Sequence, residues 1–375
     1  MRSPSTDRVE VPFSARFHSA ESGRHPDGTP VEGLRMVRGP RRVLAGGRTD
    51  PVMAEHPAFE HRPVMLEEVV ALLSVSPPGV YVDATLGGAG HALAVLDAAP
   101  HLRLVGLDQD PVAEAAARAA LAPVGERATI VRARFDRVGE VLDELGADGI
   151  SAALFDLGVS SPQLDRPERG FTYRAEGPLD MRMDPSGPVT AADVVNGWTE
   201  QDLARLFRGH GESRFAGRIA RAVVAHRPIS STAQLADVVR NAIPAAARRT
   251  GGHPARRVFQ AVRVAVNEEL AILPAALDEV LGRLVPGGRL VVLAYHSGED
   301  RIVKDRFRQA ATGGCVCPPG LPCVCGAQPS VRLLTRGARR PTPAEIERNH
   351  RAESARLRAV EALQDGGDQT PRNGR

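Results

Sequence analysis

Lysine is almost missing: Lys304 is the only one in a 375-residue chain that carries 48 lysines and arginines together. Aromatic side chains are scarce, at 4% with a single tryptophan, and there are only four cysteines. Long hydrophobic runs are absent. None approaches the roughly 20 apolar residues that a membrane span needs, and the N-terminus lacks the apolar core of a secretory signal. The expected address is therefore the cytoplasm, with no membrane partner. Basic groups supplied almost wholly by arginine, beside abundant alanine, read as the coding bias of a GC-rich genome. A lone arginine thus carries no functional information; only a patterned cluster does. The net charge of +3 is too small to imply a nucleic-acid partner by itself.

With 42% apolar and 25% charged residues, the chain has the makings of a globular protein with a proper core. Its length exceeds one average domain, which points to one domain with a large insertion or to two. Residues 1–55 show no periodicity and many Pro, Gly and Arg, and read as a disordered extension. Met53, which opens the patterned region, is an alternative start. Residues 361–375 read as a loose tail. Between them, β-rich runs alternate with helical ones. Val80–Leu86, Leu102–Asp108, Ala128–Phe135 and Ile150–Asp156 read as buried strands; helices follow Pro111 and span Val138–Leu145. Such alternation implies a parallel, doubly wound α/β sheet. It stops at Gln163–Pro188, a long polar stretch of the kind that is usually functional or disordered. From Thr190 to about Leu284 the pattern is helical, with Thr199 and Asp202 spaced as a capping box. A strand within Val285–Ser297 and a helix over Glu299–Ala311 return to the first pattern. The expected organisation is a sheet domain, 56–162 and 270–360, interrupted by a long loop plus an all-helical insertion, 163–269.

The first strand runs into Asp83-Ala84-Thr85-Leu86-Gly87-Gly88-Ala89-Gly90-His91. Glycines at a strand-to-helix turn let backbone approach a ligand and aim helix N–H groups at it. Some twenty residues on, Asp108 ends the second strand, where a carboxylate can accept both hydroxyls of a ribose. This pairing fits a nicotinamide dinucleotide as well as S-adenosylmethionine. Phe135, closing the third strand, either stacks on an adenine or belongs to the core. The fourth strand breaks the tie by running into "DLGVSSPQLD" (Asp156–Asp165), where amino-group methyltransferases place an acid or serine followed by proline beside the transferable methyl. A bland alternative is an Asp and two Ser residues shaping a turn before Pro162.

From His61 to Arg358 the chain resembles the MraW-type 16S rRNA (cytosine-N4)-methyltransferases. "HRPVMLEEV", "DATLGGAGH", "LDQDP", "FDLGVSSPQLDRPERGFTYRAEGPLDMRMDP", "GHGESRFAGRIARAV", "HPARRVFQAVRVAVNEEL" and "LVPGGRLVVLAYHSGEDRIVK" carry the likeness. The resemblance implies a class I (Rossmann-like) S-adenosylmethionine methyltransferase sheet with a helical insertion. It implies methylation of the N4 amine of a cytidine in the decoding region of 16S rRNA, with the 30S ribosomal subunit as partner. By motif position the S-adenosyl-L-methionine contacts would be Ala89, Gly90, His91, Asp108, Phe135, Asp156 and Gln163. Ala89 stands where many members have Gly, a cheap change if its φ is negative. Gly298 replaces a usual Leu, and "NHRAESARLR" departs from the usual proline-and-serine version.

A cytosine amine is a poor nucleophile because its lone pair is delocalised into the ring. An acceptor on one amine hydrogen would push the nitrogen toward tetrahedral geometry and stabilise the developing charge. Asp156, Ser161 or a carbonyl within 158–162 are the candidates. The amine lies on the Watson–Crick edge, so the base must be unpaired or flipped out. Tyr173 and Phe171 would either stack on it or pin the long loop. His296 and Ser297, at a late strand end, either touch substrate or are structural. Arg256, Gln260, Arg263 and Asn267 share one helix face, suited to phosphates or to simple solvation. Arg336, Arg339 and Arg340 form a second basic cluster with the same ambiguity. No metal is required by the chemistry, but Cys315, Cys317, Cys323 and Cys325 fall in one short segment. They would hold a structural zinc or remain free thiols, and CxC spacing suits a single site less well than CxxC. The competing functions are an NAD(P)-linked oxidoreductase and a non-catalytic RNA-binding protein.

Overall fold

In the computed structural model the described residues are 63–247, 253–318 and 323–364. The expected N-terminal extension, residues 56–62 and the tail from 365 lie outside them. Helix α1 (Leu66–Leu73) precedes β1 (Gly79–Asp83), α2 (Gly90–Ala98), β2 (Leu102–Asp108), α3 (Pro111–Leu121), β3 (Ala128–Arg132), α4 (Val138–Glu144), β4 (Ile150–Asp156) and α5 (Ser161–Asp165). The helical stretch comprises α6 (Ala191–Gly197), α7 (Glu200–Gly209), α8 (Ala216–Ala225), α9 (Thr232–Ala242) and α10 (Arg256–Val266). Then come α11 (Glu269–Arg283), β5 (Leu284–Ala294), α12 (Ser297–Thr312), β6 (Val331–Leu333), α13 (Pro343–Arg348) and β7 (Arg356–Ala362).

The strands form one seven-stranded sheet in the order β3-β2-β1-β4-β5-β7-β6. β1 to β5 are parallel, whereas β7 runs antiparallel to both β5 and β6. β4, ISAALFD, is buried along nearly its whole length, as expected of a strand covered on both faces. One face carries α1, α2 and α3 through Val69, Leu73, Val95, Leu96, Ala117 and Leu121. The other carries α4, α11 and α12 through Val141, Leu142, Leu273, Leu277, Val280 and Phe307. Asp110 caps α3 by accepting from Val112 N at 3.0 Å, with Pro111 in the first turn, where its missing N–H costs nothing.

The helical stretch has a core of its own, built on Val194, Leu203, Phe207, Ile219, Val223, Leu235, Val239, Val258 and Val262. Thr190, Thr199 and Ser231 start α6, α7 and α9 by accepting from backbone N–H groups, each worth about 1 kcal/mol. The polar stretch 163–188 is folded onto this unit. Phe171, Leu179, Met181 and Met183 are buried in its core, at roughly 1.5–3 kcal/mol for each large apolar side chain. Asn267, just past α10, clamps the same stretch: Oδ1 accepts from Met183 N and Nδ2 donates to Met181 O, both at 2.8 Å.

Two boundaries differ from the sequence reading. Glu361 and Ala362, assigned above to a loose tail, complete β7 inside the sheet. Glu361 accepts from Arg289 Nε at 2.9 Å and from Arg332 Nη2 at 2.6 Å, tying β7 to both neighbours. The third strand ends at Arg132, so Phe135 opens a 3-10 turn beyond it rather than closing it.

Candidate active site at the carboxyl end of the sheet

Parallel pairing places Asp83 beside Gly106 and Leu154, so β1, β2 and β4 end close together. Strand order reverses on either side of β1 and β4, the position where open α/β sheets hold ligands. After β1 the chain makes a tight turn in which Leu86 N donates to Leu107 O and Ala89 N to Leu86 O. Gly87, at φ +53°, donates its N–H to Asp108 Oδ2 at 2.8 Å, and Asp110 N donates to Oδ1 at 2.8 Å. A side chain on Gly88 would project into open space, whereas one on Gly90 would collide with Pro63. The turn is thus packed on one side and bare on the other. Ala89, the N-cap of α2, adopts φ 64°, not the negative φ that would make alanine harmless. That left-handed conformation costs an alanine roughly 1–2 kcal/mol, held in place by complete burial.

Three acids surround the turn. Asp83 is buried, accepts from Thr85 N and the Tyr81 hydroxyl, and is pushed up to about 7 by that burial, against the pull of His91. Asp108 is likewise lifted by burial to about 6, although the N–H groups of Asp110 and Gly87 draw it down. Asp156, at the end of β4, keeps 26% of its side chain open to solvent. Its Oδ1 accepts from the Tyr295 hydroxyl at 2.7 Å, and its Oδ2 lies 3.5 Å from His91 Nδ1. His91 Nε2 in turn donates to Val64 O at 2.9 Å. Burial, then the Asp156 charge, push the Tyr295 hydroxyl well above its ordinary range, so it stays a donor. Tyr295 escaped the sequence reading, which singled out its neighbours; only its place at the end of β5, beside β4, could have flagged it.

Other expected residues fall into two groups. Phe135 packs edge-on against Phe155 at 5.8 Å between centroids, at the rim of the core. Gln163 is buried; its Oε1 accepts from Ser160 N at 3.0 Å and its Nε2 donates to Asp110 Oδ2 at 2.9 Å. Arg169 pairs with the same carboxylate at 3.0 Å, so the loop after β4 is fastened to the head of α3. Ser161 opens α5; its side chain lies outside the described part. Tyr173 stacks on His253 at 4.5 Å and meets Phe259 edge-on, pinning the loop to α10.

The expected basic face on α10 is not open. Arg256 is exposed, but only 13% of the Arg263 side chain is, and its Nε and Nη2 each donate to Glu269 at 2.8 Å. Burial works against the Arg263 charge, yet the carboxylates of Glu269 and Glu299 outweigh it and raise its pKa. Arg263 is therefore a corrected assignment: it faces the protein interior, as does buried Asn267. His296 is the N-cap of α12, its Nδ1 accepting from Gly298 N at 3.1 Å. A side chain on Gly298 would press on the His296 ring and on Leu270, at 3.0–3.1 Å. A polar cleft of about 240 Å³ opens beside it, lined by Tyr295, His296, Ser297, Arg340, Glu353 and Arg356.

The bare Gly87–Gly88 backbone, with the Asp108 carboxylate beside it, fits S-adenosylmethionine: room for the donor's body and acceptors for its ribose. Dinucleotide-binding dehydrogenases use the order 3-2-1-4-5-6. A reversed β7 slotted between β5 and β6 departs from that and defines a class I S-adenosylmethionine-dependent methyltransferase. More narrowly, the chain belongs to the MraW methylase family, whose sequence profile matches residues 58–363. It is 54% identical over 316 residues to the Ribosomal RNA small subunit methyltransferase H of Thermobifida fusca, spanning 82% of this chain and 95% of that protein. It is 51% identical over 314 residues to the protein of that name from Symbiobacterium thermophilum, spanning 82% of this chain and 98% of the relative. Among the described residues no helix is long and apolar enough to cross a membrane.

Proposed function

We propose that the protein transfers a methyl group from S-adenosylmethionine to the exocyclic N4 of a cytidine in the decoding region of 16S rRNA, within the 30S subunit and in the cytoplasm. Relatives named for the small-subunit ribosomal RNA support the substrate class. One observation carries the choice of an amine: Asp156, partly open, is braced by Tyr295 at 2.7 Å and faced by His91 at 3.5 Å. When bound, the donor supplies a sulfonium methyl that is already electrophilic, so no metal is needed. The protein must make the amine nucleophilic and hold it in line. Asp156 accepts one N–H of the amine, which draws the nitrogen toward a tetrahedral shape and offsets the positive charge that grows on it. Tyr295 orients that carboxylate. Donation from the Tyr295 hydroxyl, together with the backbone bond from Asp156 N to Thr85 Oγ1 at 2.6 Å, fixes the strand end. Asp108 accepts the donor's ribose hydroxyls, Gly87–Gly88 and the Ala89, Gly90 and His91 turn cradle it, and Phe135 and Gln163 border its site. The surplus of the rate comes from positioning.

The base is unstacked into the cleft beside Tyr295 and His296, where Arg340 meets its phosphate; Arg356, on the same wall, holds Asp300 at 3.0 Å. Exposed Arg256 is a second phosphate contact on the helical unit. Tyr173, engaged with His253, positions the loop rather than the base. The test is to incubate the enzyme with methyl-labelled donor and small subunits from cells lacking the modification, then digest the RNA to nucleosides. N4-methylcytidine from a decoding-region fragment is expected. Label in 5-methylcytidine, in a ribose 2′-O-methyl or in another rRNA region would contradict the assignment.

A further inference from the structure

All four cysteines lie between α12 and the edge strand β6, away from the carboxyl ends of the parallel strands. Their spacing, CxC twice over, looks unsuited to one site. The geometry removes that objection. In an extended segment, residues i and i+2 point the same way and i+1 the opposite way. The central residues of the two arms, Val316 and Val324, are 86% and 89% exposed, so each arm turns its valine outward and both cysteines inward. The arms then face each other. Cys315 and Cys323 Sγ are 3.5 Å apart, Cys323 and Cys325 3.4 Å, and Cys325 and Cys315 3.6 Å. All four sulfurs, Cys317 included, lie within 4.8 Å of one another.

These separations are far from a disulfide's, about 2.05 Å. They are close to the roughly 3.8 Å edge of a tetrahedron whose centre is 2.3 Å from each sulfur, the Zn–S distance. A polynuclear iron–sulfur cluster spreads its thiolates over several irons and would hold them further apart. No apolar core explains the convergence: the cysteines are half-buried or exposed, and the valines between them face solvent. Val324 N also donates to Cys317 Sγ at 3.4 Å, as backbone amides do to a sulfur that carries negative charge.

We infer that Cys315, Cys317, Cys323 and Cys325 form a mononuclear tetrahedral zinc site that ties the end of α12 to the approach to β6. Binding is charge-balanced: four thiols give up four protons and one Zn²⁺ is held by four thiolates, leaving two net negative charges. The site is structural, with every coordination position taken by protein and none left for water. Zinc stabilises a segment that has no side-chain core of its own, and the fold around the methyl-transfer site does not depend on it.

The full-length protein, purified under reducing conditions without chelator or immobilised-metal chromatography, should carry about one zinc per chain by elemental mass spectrometry. Replacing both Cys317 and Cys325 with Ser (C317S/C325S) should abolish it while leaving the far-ultraviolet circular dichroism unchanged. Metal-free reduced protein titrated with Co²⁺ should develop the intense visible bands of tetrahedral thiolate coordination, bleached by one equivalent of Zn²⁺. Protein that neither contains zinc nor takes up Co²⁺ would overturn the assignment, as would bound iron in zinc's place or cysteines paired in disulfides in the reduced preparation.

Discussion

Asp83, Asp108 and Asp156 sit at neighbouring strand ends yet meet different surroundings, and the roles proposed for them follow that difference. Asp83 is sealed in and spends its oxygens on Thr85 and Tyr81. Asp156 keeps a solvent-facing edge, the one proposed to meet the amine. Asp108 stands between, its two oxygens each holding one backbone N–H while a carboxylate has lone pairs left over for ribose hydroxyls. Burial lifts Asp108 from its usual 3.8 to about 6. Accepting two hydroxyls requires the ionised form, so affinity for the donor should be pH-independent above about 7. It should then fall by up to tenfold per unit as pH drops below about 6. Isothermal titration of S-adenosylmethionine between pH 5 and 8 checks this, and Asp108→Asn should bind weakly with a flat profile. A wild-type profile that stays flat to pH 5 would remove Asp108 from the ribose. At this scale the sequence was readable where a strand end meets a glycine turn. It was unreadable for Tyr295, because the hydroxyl's partner lies 139 positions away and only strand pairing brings them together.

Helix α10 illustrates how far periodicity carries an element. Helical spacing sets Val258, Ala261, Val262 and Ala265 opposite its polar positions; the first three are buried and Ala265 is half-buried. The opposite face reads as suited to phosphates or solvation, but the 181–183 stretch and the start of α11 cover part of it. Asn267 and Arg263 therefore point inward, toward the 181–183 backbone and Glu269. The two arginines of α10 should accordingly behave differently. Arg263→Ala leaves buried Glu269 without a counter-charge and should cost about 3–5 kcal/mol, read as a lower urea midpoint. Arg256→Ala should leave stability within about 0.5 kcal/mol and reduce the salt slope of subunit binding by about one. An unchanged slope would take Arg256 out of the interface. The C-terminal strands show the reverse failure. β7 carries two arginines and a glutamate among its apolar residues; its place in the sheet depends on pairing with β5 and on Glu361 bridging Arg289 and Arg332.

Across the whole molecule, the alternating sheet and the helical interruption were both visible in the pattern, because each has its own apolar period. The folding of residues 163–188 was not. Its buried side chains are few and widely spaced, and they gain their order from α10 and the helical core rather than from local propensity. In the proposed reaction the Asp156–Tyr295 pair, bonded at 2.7 Å, stands where donor and base meet. That pair is the hinge of the account, and a single-turnover measurement of methyl transfer to unmodified 30S subunits by Asp156→Ala tests it most directly. The transfer rate at saturating donor and subunit should fall by about 10²-fold or more, with Asp156→Asn, which keeps a carbonyl acceptor, falling less. An Asp156→Ala rate equal to that of the wild type would contradict it.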